Sequence, residues 1–254
     1  MARWTNNIVK RIMKQTYKIA EKNIEIDSLF PEIHAFCSDY VTNQIADFSV
    51  KISEQDIVFE REKSVRERIA EGLEIINYPD SYLETLAVYR KIADKMLSYE
   101  TMLFHGSAIA VDGQAYLFTA KSGTGKSTHT RLWREVFGDR AVMVNDDKPL
   151  LKVTDSGVTV FGTPWNGKHR LGKNNSAPLK AICILERGET NEISIISTSD
   201  ALPKLIQQMY RSQDHSLLSK SLELISKLVH QIPIYNLYCN ISYDAVNTAY
   251  NGMK

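Results

Sequence analysis

One eight-residue segment, Ala120-Lys121-Ser122-Gly123-Thr124-Gly125-Lys126-Ser127, constrains this chain more than any other. It fits the phosphate-loop spacing G-x-x-x-x-G-K-[ST], with Ala120 in the first place. Such a loop needs a strand before it and a helix after it. Both are predicted. Ala115-Tyr116-Leu117-Phe118 is an apolar run of strand length, and the stretch from about 126 to 137 carries Leu132, Trp133, Val136 and Phe137 on one helical side. Gly123 and Gly125 permit a tight backbone whose N–H groups point inward, where they and the following helix N-terminus attract phosphate oxygens. Lys126 is placed to reach the β- and γ-phosphates, and the Ser127 hydroxyl to ligate Mg²⁺. The expected nucleotide-binding set is Ser122, Gly123, Thr124, Gly125, Lys126, Ser127 and Thr128, and the expected cofactors are ATP and Mg²⁺.

Downstream, Val142-Met143-Val144-Asn145-Asp146-Asp147 reads as an apolar strand ending in two carboxylates. Alone, such a pair reads as a turn, because Asp is a favoured turn residue. One strand beyond a phosphate loop, it reads as a Mg²⁺ ligand and a proton acceptor. Two carboxylates crowded at one site push their pKa values apart, which suits that division of roles. The pair is expected to supply one base and one metal ligand, and which of Asp146 and Asp147 takes which role is left open by the residues alone.

The rest of the chain predicts a mixed α/β fold. Thr16–Ala20 and Asp47–Ile52 are strand-like. Residues 79–98 form a helix with apolar positions Tyr82, Leu83, Leu86, Tyr89, Ala93, Met96 and Leu97, and Ser81-x-x-Glu84 reads as its capping box. A hairpin is expected around Asp112-Gly113 and another around Asp155-Ser156-Gly157. A buried strand follows at 180–186, then a helix capped by Asp200, a helix from Leu218 to Val229, and a strand from Ile234 to Cys239. The hairpins imply a mixed sheet instead of a purely parallel one. The expected organisation is a small N-terminal α+β portion over 1–98 and a nucleotide-binding core over 99–254.

Composition narrows the function classes. A net charge of +1 gives no basic stripe for nucleic acid. No apolar run approaches the ~20 residues that span a bilayer, and Met1–Lys22 shows no secretory apolar core. Cys37, Cys183 and Cys239 are dispersed and odd in number, which argues against a disulfide framework or zinc site. Cys183 reads as a small buried hydrophobe. A cytoplasmic protein is expected, with no nucleic-acid or membrane partner and with an oligomeric state left open.

Phe104-His105-Gly106, the phosphate loop and Asn145-Asp146-Asp147, in this order, resemble the HPr kinase/phosphorylase family and its HPr-kinase-like relatives, which include kinases of modified-peptide pathways. That family shares its nucleotide core with phosphoenolpyruvate carboxykinases. Gly162-Thr163-Pro164-Trp165-Asn166-Gly167-Lys168-His169 is similar to the smaller relatives. The resemblance covers about residues 103–187. It implies an ATP- and Mg²⁺-dependent kinase acting on a hydroxyl, usually a serine of a protein, peptide or free metabolite. It also brings His105 into the site and implies the base and metal roles for Asp146 and Asp147, with Asp146 taken as the base and Asp147, with Ser127, as the metal ligand. Two features depart from the family: Ala120 replaces the first glycine, and the family's later Arg- and Gly-rich signature is not recognisable. HPr as substrate and a reverse phosphorylase reaction are therefore not carried over. Lys168 is a candidate to stabilise the transferring phosphoryl group. Arg131, Arg134, Arg187 and Arg211 are weaker candidates, and His129 is expected on a helix surface. The alternatives are a nucleotide-binding regulatory ATPase without an acceptor and a carboxykinase-like enzyme.

Overall fold

The computed structural model describes residues 13–167 and 170–254. The chain divides into two compact units, Met1–Ile92 and Ala93–Lys254. No helix among the described residues is long and apolar enough to cross a membrane.

In the first unit, β1 (Met13–Ile19) and β2 (Lys22–Ser28) form an antiparallel hairpin, and the short α1 (Glu32–Phe36) leads toward β3 (Phe48–Lys51), which pairs in parallel with β2. The long helix α2 (Glu54–Ala70) escaped the sequence reading. Only Ile57 and Glu60 of its residues are buried, so its apolar stripe is too thin to show as a helical period. Its inner side is ionic instead: Arg90 Nε donates to Glu60 Oε1 at 2.6 Å, and Lys91 Nζ to Asp56 Oδ2 at 2.7 Å. Both cations stand on α3 (Asp80–Met96), the helix expected over 79–98. Glu84, expected to reach back to Ser81, directs its carboxylate to the N–H groups of Leu29 at 2.6 Å and Phe30 at 3.0 Å. It sits fully buried beside Leu83 and answers two backbone donors at the end of β2.

The second unit is built on one mixed sheet. Its first strands are β4 (Thr101–Leu103), β5 (Ser107–Val111) and β6 (Gln114–Thr119). After the loop come α4 (Lys126–Phe137), β7 (Ala141–Asn145), β8 (Leu150–Thr154), β9 (Gly157–Phe161) and the long β10 (Ser176–Arg187). The chain ends with β11 (Glu192–Ile195), α5 (Thr198–Ile206), α6 (His215–Gln231), β12 (Ile234–Cys239) and α7 (Tyr243–Met253). The strand order is β4-β8-β9-β10-β6-β5-β7, with β12 on β10 and β11 on β12. β6, β10 and β12 run parallel, while the other pairs are antiparallel. Both expected hairpins are present, and Asp112 and Gly113 take the two positive φ values that a tight hairpin turn requires.

The alternation along β6 explains why the sheet is covered on both faces. Ala115 and Leu117 pack with Leu205, Leu224, Ile225 and Leu228 of α5 and α6. Tyr116 and Phe118 pack with Leu132 and Trp133 of α4 and with Val246, Ala249 and Met253 of α7. Trp133 is fully buried, its ring centroid 5.0 Å from Tyr116 and 5.1 Å from Phe118, so the helix after the loop is fixed to the strand before it. The cap expected from Asp200 is supplied three residues earlier, by Ser197, whose Oγ accepts the Asp200 N–H at 3.2 Å.

Candidate functional site

The loop between β6 and α4 turns on two glycines. Gly123 (φ 77°) and Gly125 (φ 121°) both lie where a side chain would strain the backbone. Ala120 takes the first position without such a need. It is buried and its methyl joins the cluster under α4, so the departure from glycine is absorbed by packing. Among the described residues no side chain caps the start of α4, which leaves first-turn N–H groups for other acceptors. Lys126 Nζ donates to the Ala120 carbonyl at 3.1 Å, and its pKa is lowered, by burial first and then by Lys148, against the opposing pull of Asp147 and Asp146.

Across from the loop lies the end of β7. The fully buried Asn145 shapes the turn there: its Oδ1 accepts the N–H groups of Asp147 at 2.9 Å and Lys148 at 2.7 Å, and its Nδ2 donates to Thr163 Oγ1 at 3.1 Å. The two aspartates that follow have different surroundings. Asp146 is buried, and its Oδ1 accepts from Ser107 Oγ at 2.6 Å; Ser107 in turn meets Thr130 Oγ1 of α4 at 2.9 Å. Asp147 is half-buried. Its Oδ1 lies 3.5 Å from His105 Nε2 and 3.8 Å from Lys148 Nζ. Burial raises the Asp147 pKa and Asp146 adds to the rise, while Lys148 and Lys126 oppose it.

His105 is held by its own backbone. Its N–H donates to Gln208 O at 2.8 Å, and its carbonyl accepts from Thr119 Oγ1 at 3.0 Å. Gly106 lets this segment lie against β6, since a β-carbon there would stand 2.8 Å from Leu117 Cδ1 and 2.9 Å from the Phe118 carbonyl. The His105 pKa is pushed down to about 4, by burial first and then by Lys148 and Lys126, so the ring is neutral near pH 7.

These groups border one cavity of about 480 Å³, lined by His105, Ser122, Gly123, Gly125, Lys126, Ser127, Thr128, Asp146, Asp147 and Gly167. Of the residues singled out in the sequence, Thr124 stands outside this lining, on the far side of the loop. Lys168 and His169 lie outside the described residues. The neighbouring Trp165 is buried. His129 is not on the helix surface. It is buried beneath Phe118, and its Nε2 accepts the Trp133 indole N–H at 3.0 Å. Among the candidate arginines, Arg187 touches the loop through Nη2 to Gly123 O at 2.7 Å, while Arg131 pairs with Glu135 on the surface. Ser107, Thr130 and Lys148 were not singled out in the sequence and carry no motif of their own. Only Thr130, one helical turn after Lys126, had a spacing that could have flagged it.

The site thus defines a class: a mixed α/β unit whose strand–loop–helix, bearing a lysine, faces a histidine and two aspartates across one cavity. The chain belongs to the family described as SynChlorMet cassette protein ScmC, whose model matches residues 74–245. Among solved structures, the HPr(Ser) kinase/phosphatase from Coxiella burnetii is similar at 12% identity, over 59% of this chain and 92% of that chain, with a TM-score of 0.35. No curated protein matches. The family membership is therefore ScmC, not HPr kinase, and a structural likeness of that degree decides nothing about the reaction.

Proposed function

We propose that this chain transfers the γ-phosphoryl group of ATP to a hydroxyl, with a serine of a small protein, a peptide or a free metabolite as acceptor. The observation that carries the reading is the single cavity shared by the loop, Lys126, His105 and the two aspartates. The loop's N–H groups and Lys126 would hold the phosphates. Asp147 is taken as the proton acceptor: it is half-exposed to the cavity beside His105, and burial raises its pKa. The neutral His105 ring beside it limits the room in which an acceptor hydroxyl can stand. The hydroxyl oxygen would bond to the γ-phosphorus as its proton passes to Asp147 and ADP leaves.

Asp146 and Ser127 supply the hard oxygen donors that Mg²⁺ takes, alongside phosphate oxygens and water. When bound, the cation would offset negative charge on the phosphates. This allotment reverses the one taken from the sequence, because Asp146 is already fixed by Ser107 while Asp147 faces open space in the cavity. The test is ADP release from Mg–ATP with and without serine-bearing acceptors. Stimulation by one class, with phosphate recovered on its hydroxyl, supports the reading. ATP binding with no stimulation by free serine, serine peptides or HPr favours the regulatory ATPase.

A further inference from the structure

A second cavity of about 310 Å³ lies on the other side of the phosphate loop, at the carboxyl ends of the parallel strands β10 and β12. Crevices at the carboxyl ends of parallel strands are where open α/β sheets bind ligands. Its walls include Thr128, Leu132, Arg187, Cys239, Asn240 and Ile241. It shares Gly123, Gly125 and Thr128 with the cavity that holds Lys126 and the aspartates. A third cavity, of about 410 Å³ between the loop and α5, shares no residue with that one. A nucleotide is one continuous molecule, so its base must enter a space that joins the space of its phosphates.

We infer that the cavity at the ends of β10 and β12 receives the base and sugar of the nucleotide. This rests on the phosphate reading above, and it orients the ligand: γ-phosphate toward Asp147 and His105, base toward Ile241. Three features fit an aromatic base. Ile241 is 77% exposed, an apolar side chain at the mouth with no cover of its own. Leu132 and Cys239 add apolar wall, and burial raises the Cys239 pKa so that the thiol stays uncharged. Arg187, held to Gly123 O, sets a planar cation where the loop meets this cavity. The Asn240 amide is committed elsewhere, its Nδ2 to Glu189 O at 3.0 Å and its Oδ1 to the Ser242 hydroxyl at 2.6 Å.

Calorimetric titration of the full chain with Mg–ATP and with Mg–tripolyphosphate separates the two claims, because tripolyphosphate can use only the loop. Wild type is expected to bind ATP more tightly than tripolyphosphate. Ile241→Asn is expected to weaken ATP roughly fivefold, as loss of a few tens of Å² of apolar cover implies, and to leave tripolyphosphate unchanged. The exposed position keeps folding out of the result. Equal affinity for the two ligands in wild type, or an unaltered ATP preference in Ile241→Asn, overturns the base pocket while the phosphate reading stands. Binding of neither ligand sinks the phosphate reading and this inference with it.

Discussion

Asp56 and Asp147 are both partly buried carboxylates beside cations, and they titrate in opposite directions. Burial alone would raise Asp56, but hydrogen bonds from Lys91 and Ser53 outweigh it and hold the group at about 2. At Asp147 burial wins over Lys148 and Lys126, and the pKa rises. The difference lies in how completely each group is answered. In the first unit, Asp56, Glu60, Arg90 and Lys91 close on one another, as do Tyr17, His34 and Ser28, with Tyr17 OH 2.6 Å and Ser28 Oγ 2.7 Å from the two imidazole nitrogens. In the second unit, Asp147, Lys126 and His105 line an open cavity, and the cations nearest Asp147 Oδ1 stand farther off, His105 Nε2 at 3.5 Å and Lys148 Nζ at 3.8 Å. A closed polar network serves the fold, whereas an open one is poised for a ligand.

The largest expected effect tests the open side. Lys126→Ala should lower turnover by about a thousandfold, as loss of a charge aimed at transferring phosphate does. Its circular dichroism should be unchanged, and near-normal turnover would remove the loop from the mechanism. On the closed side, Arg90→Ala leaves Glu60 buried without its partner and should cost about 3 kcal/mol in denaturant unfolding. The ATP affinity of the folded protein should be kept; an unchanged unfolding midpoint would mean that the network is not what holds α2. Asp147→Asn should reduce transfer about a hundredfold while ATP still binds. The acid limb of the wild-type rate should fall above the ordinary carboxylate value of 3.8, following the raised pKa. A greater loss in Asp146→Asn than in Asp147→Asn would restore Asp146 as the base.

A pH-dependent effect comes from His129, whose pKa burial pushes down to about 4 from an ordinary 6.5. Between those values the unfolded chain binds a proton that the folded chain refuses, so stability is lost as pH falls from 6.5 toward 4. The slope approaches about 1.4 kcal/mol per pH unit once the unfolded histidine is protonated. His105, shifted the same way, adds to it. His129→Gln keeps an acceptor for the Trp133 indole and should flatten the dependence of the melting temperature on pH. If it leaves the curve unaltered, His129 is not one of the groups responsible.

Much of the second unit was legible because its signals are local. The loop spacing, the apolar β6, the helix from Lys126 to Phe137 and the Asp112-Gly113 turn each depend on residues within a few positions of one another, so backbone geometry and side-chain period reveal them. The charged α2 was not legible, because its partners Arg90 and Lys91 arrive from another helix and leave no apolar period behind. The same limit applied to His129: its neighbours in sequence suggest a solvent-facing histidine, and only the approach of Phe118 buries it.

By itself the sequence determined that a glycine-rich turn stands between a strand and a helix and that two carboxylates follow the next strand, since both are fixed by short-range spacing. The tertiary structure alone decided that Ser107 engages Asp146, that His105 stands beside Asp147, that Arg187 meets the loop from the end of β10, and that Ile241 borders the cavity beside it. Those encounters depend on strand order and register, which join residues far apart in the chain, and no local pattern encodes them.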